Sequence, residues 1–181
     1  MSAIGITLRR AEDGDDPGAS KLFGAPAVPA GWQDRFSDDV IFFGQIRLAD
    51  IAALDTEGRL PHTGYLYLFL DIEMWPYEAW AFYHDGEPEV VIDGFNSVEP
   101  RFAHLDRAWM MSFSAAADDA DGTRLFGVPS SLPDRGEELL LQFDPLAADT
   151  GFLDEIDGYA YFFFGADPRD FDGIRLVIDR S

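Results

Sequence analysis

The sequence contains no cysteine among its 181 residues. This absence excludes disulfide bonds, thiolate zinc sites and cysteine nucleophiles, and it is typical of proteins from a reducing compartment. No apolar run reaches the length of a membrane helix, because Asp71, Glu73 and Pro76 interrupt the most apolar stretch, residues 64–83. A signal peptide is not expected either, since no basic segment precedes an apolar core in the first ten residues. We therefore predict a cytoplasmic protein that does not bind membranes.

Basic residues are also scarce. Thirteen of them stand against 34 acidic residues, which gives a formal net charge of −21, and Lys21 is the only lysine. Such a surface repels nucleic acids and attracts cations and basic proteins. The charge predicts a basic protein partner and no nucleic acid; the alternative is that it only keeps the protein in solution or reflects the composition of the genome.

Sequence motifs of common catalytic and metal sites are missing as well. His62, His84 and His104 are far apart, and none has a second histidine at metal-ligand spacing. The chain has no Gly-x-Ser-x-Gly elbow, no glycine-rich phosphate loop and no Gly-x-Gly-x-x-Gly motif. The sequence therefore predicts no catalytic residue, no metal and no cofactor. It favours a non-catalytic protein without deciding the question.

Three sequence elements occur twice, in the same order. They are a Leu-Phe-Gly-x-Pro segment at 22–26 and 125–129, an apolar run with one glutamine at 40–46 and 139–143, and a glycine followed by an aromatic-rich run at 64–70 and 158–164. This order indicates an internal duplication. We predict a single domain over residues 1–181 with internal repeats at approximately 20–114 and 123–181.

The hydrophobic pattern predicts a β-rich α+β fold in which two related sheets with short helices share a core. A helix of about two turns is predicted at 48–54, and the acidic segment 115–122 is the predicted boundary between the halves. Residues 78–84 and 89–92 are predicted to form a hairpin or meander, with a turn at 85–86. Strand 64–71 is apolar on both faces and should be covered on both sides. The predicted strands are 4–8, 40–48, 64–71, 78–84, 89–92, 107–113, 137–143, 158–164 and 174–178.

Gln45 and Gln142 occupy equivalent places in the two repeats, each within an apolar strand. A buried amide is costly unless it is hydrogen-bonded, so each glutamine should brace a neighbouring loop backbone. The alternative is that they are polar groups of a ligand pocket. We favour the brace and keep both residues as candidate binding residues.

Trp75, Tyr77 and Trp80 surround Pro76 in the first half only. Tryptophan and tyrosine are common anchors of protein interfaces, so these three residues are candidate binding residues. The competing interpretation is that their rings fold back onto the core as a lid, because large aromatic side chains are mostly buried.

Several passages resemble the YwqG-like family, a bacterial domain of unknown function. The resemblance rests on the two Leu-Phe-Gly-x-Pro segments, the Gln45 and Gln142 strands, the 48–54 segment and the passages 60–66 and 158–163, and it covers roughly residues 20–179. It implies a duplicated, β-rich α+β fold, and such domains are sometimes associated with toxin–immunity loci. Phe23 and Phe126 depart from the family pattern, where a smaller residue is expected beside the glycine.

These observations lead to two hypotheses of function. The first is a non-catalytic acidic interaction protein, immunity- or inhibitor-like, which docks on a basic protein such as a toxin and is itself a monomer or weak homodimer. The second is a small-molecule-binding protein or hydrolase whose pocket lies between the repeats and uses Gln45, Gln142 and nearby carboxylates. A structural domain without a small ligand remains a third possibility.

Overall fold

The computed structural model describes residues 2–133 and 135–179, so three positions of the predicted second repeat, 134, 180 and 181, lie outside the described residues, as does residue 1. The described chain is rich in β-strands. The strands are β1 (Ala3–Arg10), β2 (Lys21–Leu22), β3 (Ala27–Val28), β4 (Val40–Arg47), β5 (Tyr65–Asp71), β6 (Glu78–His84), β7 (Val90–Val91), β8 (Trp109–Ala116), β9 (Arg124–Leu125), β10 (Leu139–Phe143), β11 (Ala160–Phe163) and β12 (Arg175–Ile178). Short 3₁₀ turns lie at Trp32–Asp34, Leu48–Asp50, Asn96–Val98, Pro100–Asp106 and Phe171–Gly173.

Ten strands form one antiparallel sheet in the order β12-β11-β10-β9-β1-β8-β2-β4-β5-β6. Its edge strands, β6 and β12, approach each other without pairing, so the sheet is nearly closed. Strands β3 and β7 form a small separate sheet. The prediction of two related sheets is therefore wrong in this respect. One sheet crosses both halves because β1 and β8 pair along their whole length, from Ala3 opposite Ala116 to Arg10 opposite Trp109.

Four strands lie on each side of the central β1–β8 pair. Moving outward from β8, the strands are β2, β4, β5 and β6; moving outward from β1, they are β9, β10, β11 and β12. Strand β1 lies outside both predicted repeats, yet it neighbours β9 as β8 neighbours β2. The first strand of the chain thus completes the second half of the sheet.

Strand β5 is covered on both faces, as its composition predicts. Its leucines lie in the main core, and its Tyr65, Tyr67 and Phe69 lie in a second cluster on the outer face. All six residues from Tyr65 to Leu70 are buried. Burial of a large apolar side chain contributes about 1.5–3 kcal/mol, so this strand is a major source of stability.

The predicted helix at 48–54 is wrong, because the segment forms only the 3₁₀ turn Leu48–Asp50 followed by further turns. Leu48 and Ile51 are both fully buried. Their spacing of three residues matches the 3₁₀ period, in which residues i and i+3 eclipse, so the pattern does not require an α-helix. Among the described residues, no helix is long and apolar enough to cross a membrane.

The predicted pairing of 78–84 with 89–92, as a hairpin or meander, is also wrong. Strand β6 pairs with β5, whereas β7 crosses to the outer face and pairs with β3. There, Val28 and Val90 pack against the aromatic side chains of β5. Because that aromatic face needs a cover, β7 lies over it instead of extending the sheet.

The predicted boundary at 115–122 is not a loose linker. Its first two residues belong to β8, and its later carbonyl groups accept hydrogen bonds from the second half. The Asp118 carbonyl accepts from the Val128 N–H at 2.9 Å, and the Ala120 carbonyl accepts from Arg124 Nε at 2.6 Å. These bonds fix the acidic segment against the turn that follows β9.

Candidate functional site

Gln45 braces two loops from the interior of β4. Its side chain is fully buried, its Oε1 accepts from the Ala27 N–H at 3.0 Å, and its Nε2 donates to the carbonyls of Pro17 and Ala19 at 3.0 and 2.9 Å. All the partners are main-chain groups. The predicted brace is therefore confirmed at Gln45.

Gln142 holds the corresponding position in β10. It is also fully buried; its Oε1 accepts from the Ser130 N–H at 3.0 Å, and its Nε2 donates to the Gly122 carbonyl at 2.8 Å. The Ser130 hydroxyl accepts a further bond from Nε2 at 3.0 Å. Gln142 thus makes the predicted brace as well, and neither glutamine lines one of the grooves described below.

A buried cation lies beside each glutamine, one place before the Leu-Phe-Gly segment. Lys21 is only 4% exposed and donates from Nζ to the Pro17 carbonyl at 2.9 Å. Arg124 is fully buried and donates to the carbonyls of Ala120, Phe126 and Val128. Burial lowers the pKa of Lys21 to about 8, and it also lowers the pKa of Arg124.

Sequence reasoning missed these two cations as structural residues. A signal was present, because Ser-Lys-Leu-Phe-Gly at 20–24 and Thr-Arg-Leu-Phe-Gly at 123–127 place a basic residue at the same point of each predicted repeat. A charged residue is usually assigned to the surface, so the match carried no weight.

The two Leu-Phe-Gly segments share a left-handed turn. Phe23 and Phe126 have φ values of 56° and 64°, a conformation that non-glycine residues rarely adopt. Both rings are buried, and the Phe23 ring packs edge-on against Phe43 with centroids 5.5 Å apart. Phenylalanine rather than a smaller residue stands at these turns because its ring anchors the turn in the core.

The Trp75–Trp80 segment divides between the surface and the core. Met74 is 74% exposed, Trp75 42% and Trp80 36%, whereas Tyr77 packs against the main core. The Trp75 and Tyr77 rings meet edge-on with centroids 4.9 Å apart. Tyr77 thus packs on the core as the lid interpretation predicts, whereas Trp75 and Trp80 are partly exposed.

These residues form one wall of a groove between the two halves, which we call the aromatic groove. It is lined by residues 74–80, 172 and 174–176 and has a volume of about 590 Å³. The groove lies where edge strands β6 and β12 face each other. It brings Trp75, Tyr77 and Trp80 together, close to both edge strands.

Two carboxylates and one arginine line the aromatic groove. Glu78 and Asp172 are both exposed. Arg175 directs its guanidinium to Glu137 and over the Phe163 ring, 5.5 Å from the centroid. The lining thus carries two negative charges and one positive charge, so the net charge that the groove offers to a partner is negative.

The three histidines lie in different surroundings. His62 Nε2 lies 3.3 Å from the buried Asp55, and His104 Nε2 lies 2.9 Å from the Gly151 carbonyl oxygen. Within residues 2–133 and 135–179, no group of three or more histidine, aspartate or glutamate side chains could hold a metal ion.

The chain matches no protein-family model and no curated protein.

Proposed function

We propose that this protein is a non-catalytic interaction protein that binds a basic protein partner at the aromatic groove. The observation that carries the proposal is the exposure of Met74, Trp75 and Trp80 beside a groove lined by Glu78 and Asp172. Exposed aromatic residues that cluster around a cavity are characteristic of binding hot spots. Single exposed apolar residues would carry no such weight, but these three line the same groove.

Charge supports a basic partner. The chain carries a net charge of −21, which accelerates the approach of a positive protein, and the groove adds local carboxylates. A cationic side chain can lie against the face of Trp75 or Trp80 while it pairs with Glu78, which combines cation–π and ionic attraction. An immunity-like or inhibitor role in the cytoplasm fits such a surface.

We further propose that the scaffold is an internally duplicated, YwqG-like fold. The two glutamine braces support this, as do two hydroxyl groups: Ser20 Oγ accepts from the Arg47 N–H at 2.9 Å, and Thr123 Oγ1 accepts from the Asp144 N–H at 3.0 Å. The matched strand order on each side of the β1–β8 pair adds to this support. A search for the same paired braces in structures of YwqG-like proteins tests the family assignment.

Affinity capture from the host with matched variants tests the partner. Trp75→Ala and Trp80→Ala should each lose the captured protein, because removal of a hot-spot aromatic costs about 2 kcal/mol or more, roughly 30-fold in affinity. Leu146→Ala is the control, since Leu146 is 67% exposed and lies outside the groove. The retained protein should be basic, and high salt should release it.

The proposal fails if wild type and Trp80→Ala capture the same proteins, or if the captured proteins are acidic and insensitive to salt. Thermal unfolding of each variant must show a fold as stable as wild type.

A second candidate function, a small-molecule-binding protein or hydrolase, is favoured by the position of the groove between the halves. Binding of a metabolite that Leu146→Ala retains and Trp80→Ala loses, with no protein captured, would favour it.

A further inference from the structure

A second cavity lies between the two halves, at the other end of β6. It is lined by residues 58–61, 83, 168, 169 and 171 and has a volume of about 390 Å³, and we call it the arginine pocket. Tyr83 comes from β6 and Phe171 from the C-terminal half, with ring centroids 6.0 Å apart. The two rings form an apolar wall of the pocket.

The charge of the arginine pocket is opposite to that of the whole chain. Arg59 and Arg169 line it, and none of its described lining residues is an aspartate or glutamate. In a chain with 13 basic and 34 acidic residues, two arginines in one cavity without a lining carboxylate stand out. Such a cavity favours an anion.

Arg59 is held in a fixed position. Its side chain is only 8% exposed, its guanidinium carbon lies 3.8 Å from the centroid of the Phe126 ring, and its Nη2 donates to the Ser2 carbonyl at 2.6 Å. Behind it lies the fully buried Asp55, whose Oδ1 is 3.6 Å from Arg59 Nε. The Asp55 carboxylate accepts hydrogen bonds from the main-chain N–H groups of Arg59 and Leu60. This preorganised side chain needs little ordering when a ligand binds.

Arg169 is the adjustable member of the pair. Its side chain is 91% exposed, and its Nε lies 3.2 Å from Asp167 Oδ1. Exposed ion pairs of this kind contribute little to stability, so a ligand carboxylate can replace Asp167 at small cost.

We propose that the arginine pocket binds a small carboxylate with an aromatic body. The carboxylate lies between Arg59 and Arg169, whose planar guanidinium groups bind carboxylates in a defined geometry, and the ring lies against Tyr83 and Phe171. The cavity volume falls in the range of small-molecule sites. This site is separate from the aromatic groove and does not depend on the protein partner proposed there.

Titration of the isotope-labelled full chain with benzoate, followed by NMR, tests the site. Benzoate should shift the amide signals of Tyr83, Arg169 and Phe171, whereas uncharged benzamide and inorganic phosphate should shift them much less. Equal effects of benzoate and benzamide would refute the role of the arginines. Equal effects of benzoate and phosphate would refute the role of the aromatic wall.

Charge variants complete the test. Arg169→Gln should weaken benzoate binding about tenfold, as expected for the loss of one charge-assisted hydrogen bond, and Arg169→Glu should abolish it. Arg9→Gln and Arg9→Glu are the controls, because Arg9 is also an exposed arginine in an ion pair, with Asp15 at 2.7 Å. If Arg169→Glu binds benzoate as well as Arg9→Glu does, the proposal is wrong. Arg169 is at the surface, so its substitution should leave the fold intact.

Discussion

In each half of the sheet, a buried cation donates hydrogen bonds to main-chain carbonyls of nearby loops, but the cation differs between the halves. Near β2, Lys21 donates to one carbonyl and Gln45 holds the surrounding loops; near β9, Arg124 itself donates to three carbonyls and also contacts Gln142. In the first half, most of the loop carbonyls therefore depend on an uncharged amide. In the second half, they depend on a permanent charge.

This difference determines how each half responds to mutation and to pH. A guanidinium offers five donors in a rigid plane, so a single Arg124 can organise a whole turn. An ammonium group is a compact charge that loses its proton more easily when buried, so Lys21 is the titratable member of the pair.

The largest predicted effect is the loss of Arg124. Arg124→Met should lower the free energy of unfolding by roughly 3–5 kcal/mol, because the carbonyls of Ala120, Phe126 and Val128 lose their donor. Lys21→Met should cost much less, since it removes a single hydrogen bond together with a desolvated charge. Urea unfolding measures both. Equal losses in the two variants would show that the halves do not differ as described.

Replacement of the glutamine should also destabilise the two halves to different extents, but the difference should be smaller than that between the two cations. Gln45→Leu should cost about 3 kcal/mol, because it leaves the buried Ala27 N–H and the Ala19 carbonyl without their partner and leaves the Pro17 carbonyl with Lys21 alone. Gln142→Leu should cost about 2 kcal/mol, because Ser130 is exposed and water can replace the amide there. Denaturant unfolding compares them, and a larger loss in Gln142→Leu would contradict the ranking.

The smallest predicted effect is a pH dependence specific to the first half. The pKa of Lys21 falls from 10.5 to about 8 on folding, so above about pH 8 the unfolded chain binds a proton that the folded chain does not. Stability should therefore rise by about 2 kcal/mol between about pH 7 and pH 9.5, relative to Lys21→Met measured in parallel. Parallel stability curves for wild type and variant would show that Lys21 titrates normally.

Much of the scaffold could be predicted from the sequence because its signals are local. The apolar run of β5 identifies a strand covered on both faces, and a glutamine inside an apolar strand identifies a brace. The 3₁₀ turn at Leu48 was mistaken for a helix because a spacing of three residues fits both structures.

The remaining features depend on contacts between distant parts of the chain. No local pattern shows that β7 leaves β6 to cover the aromatic face of β5, or that β1 lies between β8 and β9. The sequence identified the aromatic residues of the groove but not the groove itself, because its second wall is formed by residues after 171. The arginine pocket had no sequence signal, because Arg59 and Arg169 are isolated in the sequence.

The position of β1 has a consequence for the order of folding. Strand β1 is synthesised before the other described strands, but both of its neighbours, β8 and β9, are synthesised only after β2 to β7. Until then, its two edges have free main-chain hydrogen-bonding groups, a condition that favours pairing with other chains. The centre of the sheet can therefore form only after β8 and β9 have been synthesised, and the nascent chain must keep β1 unpaired while β2 to β7 are made.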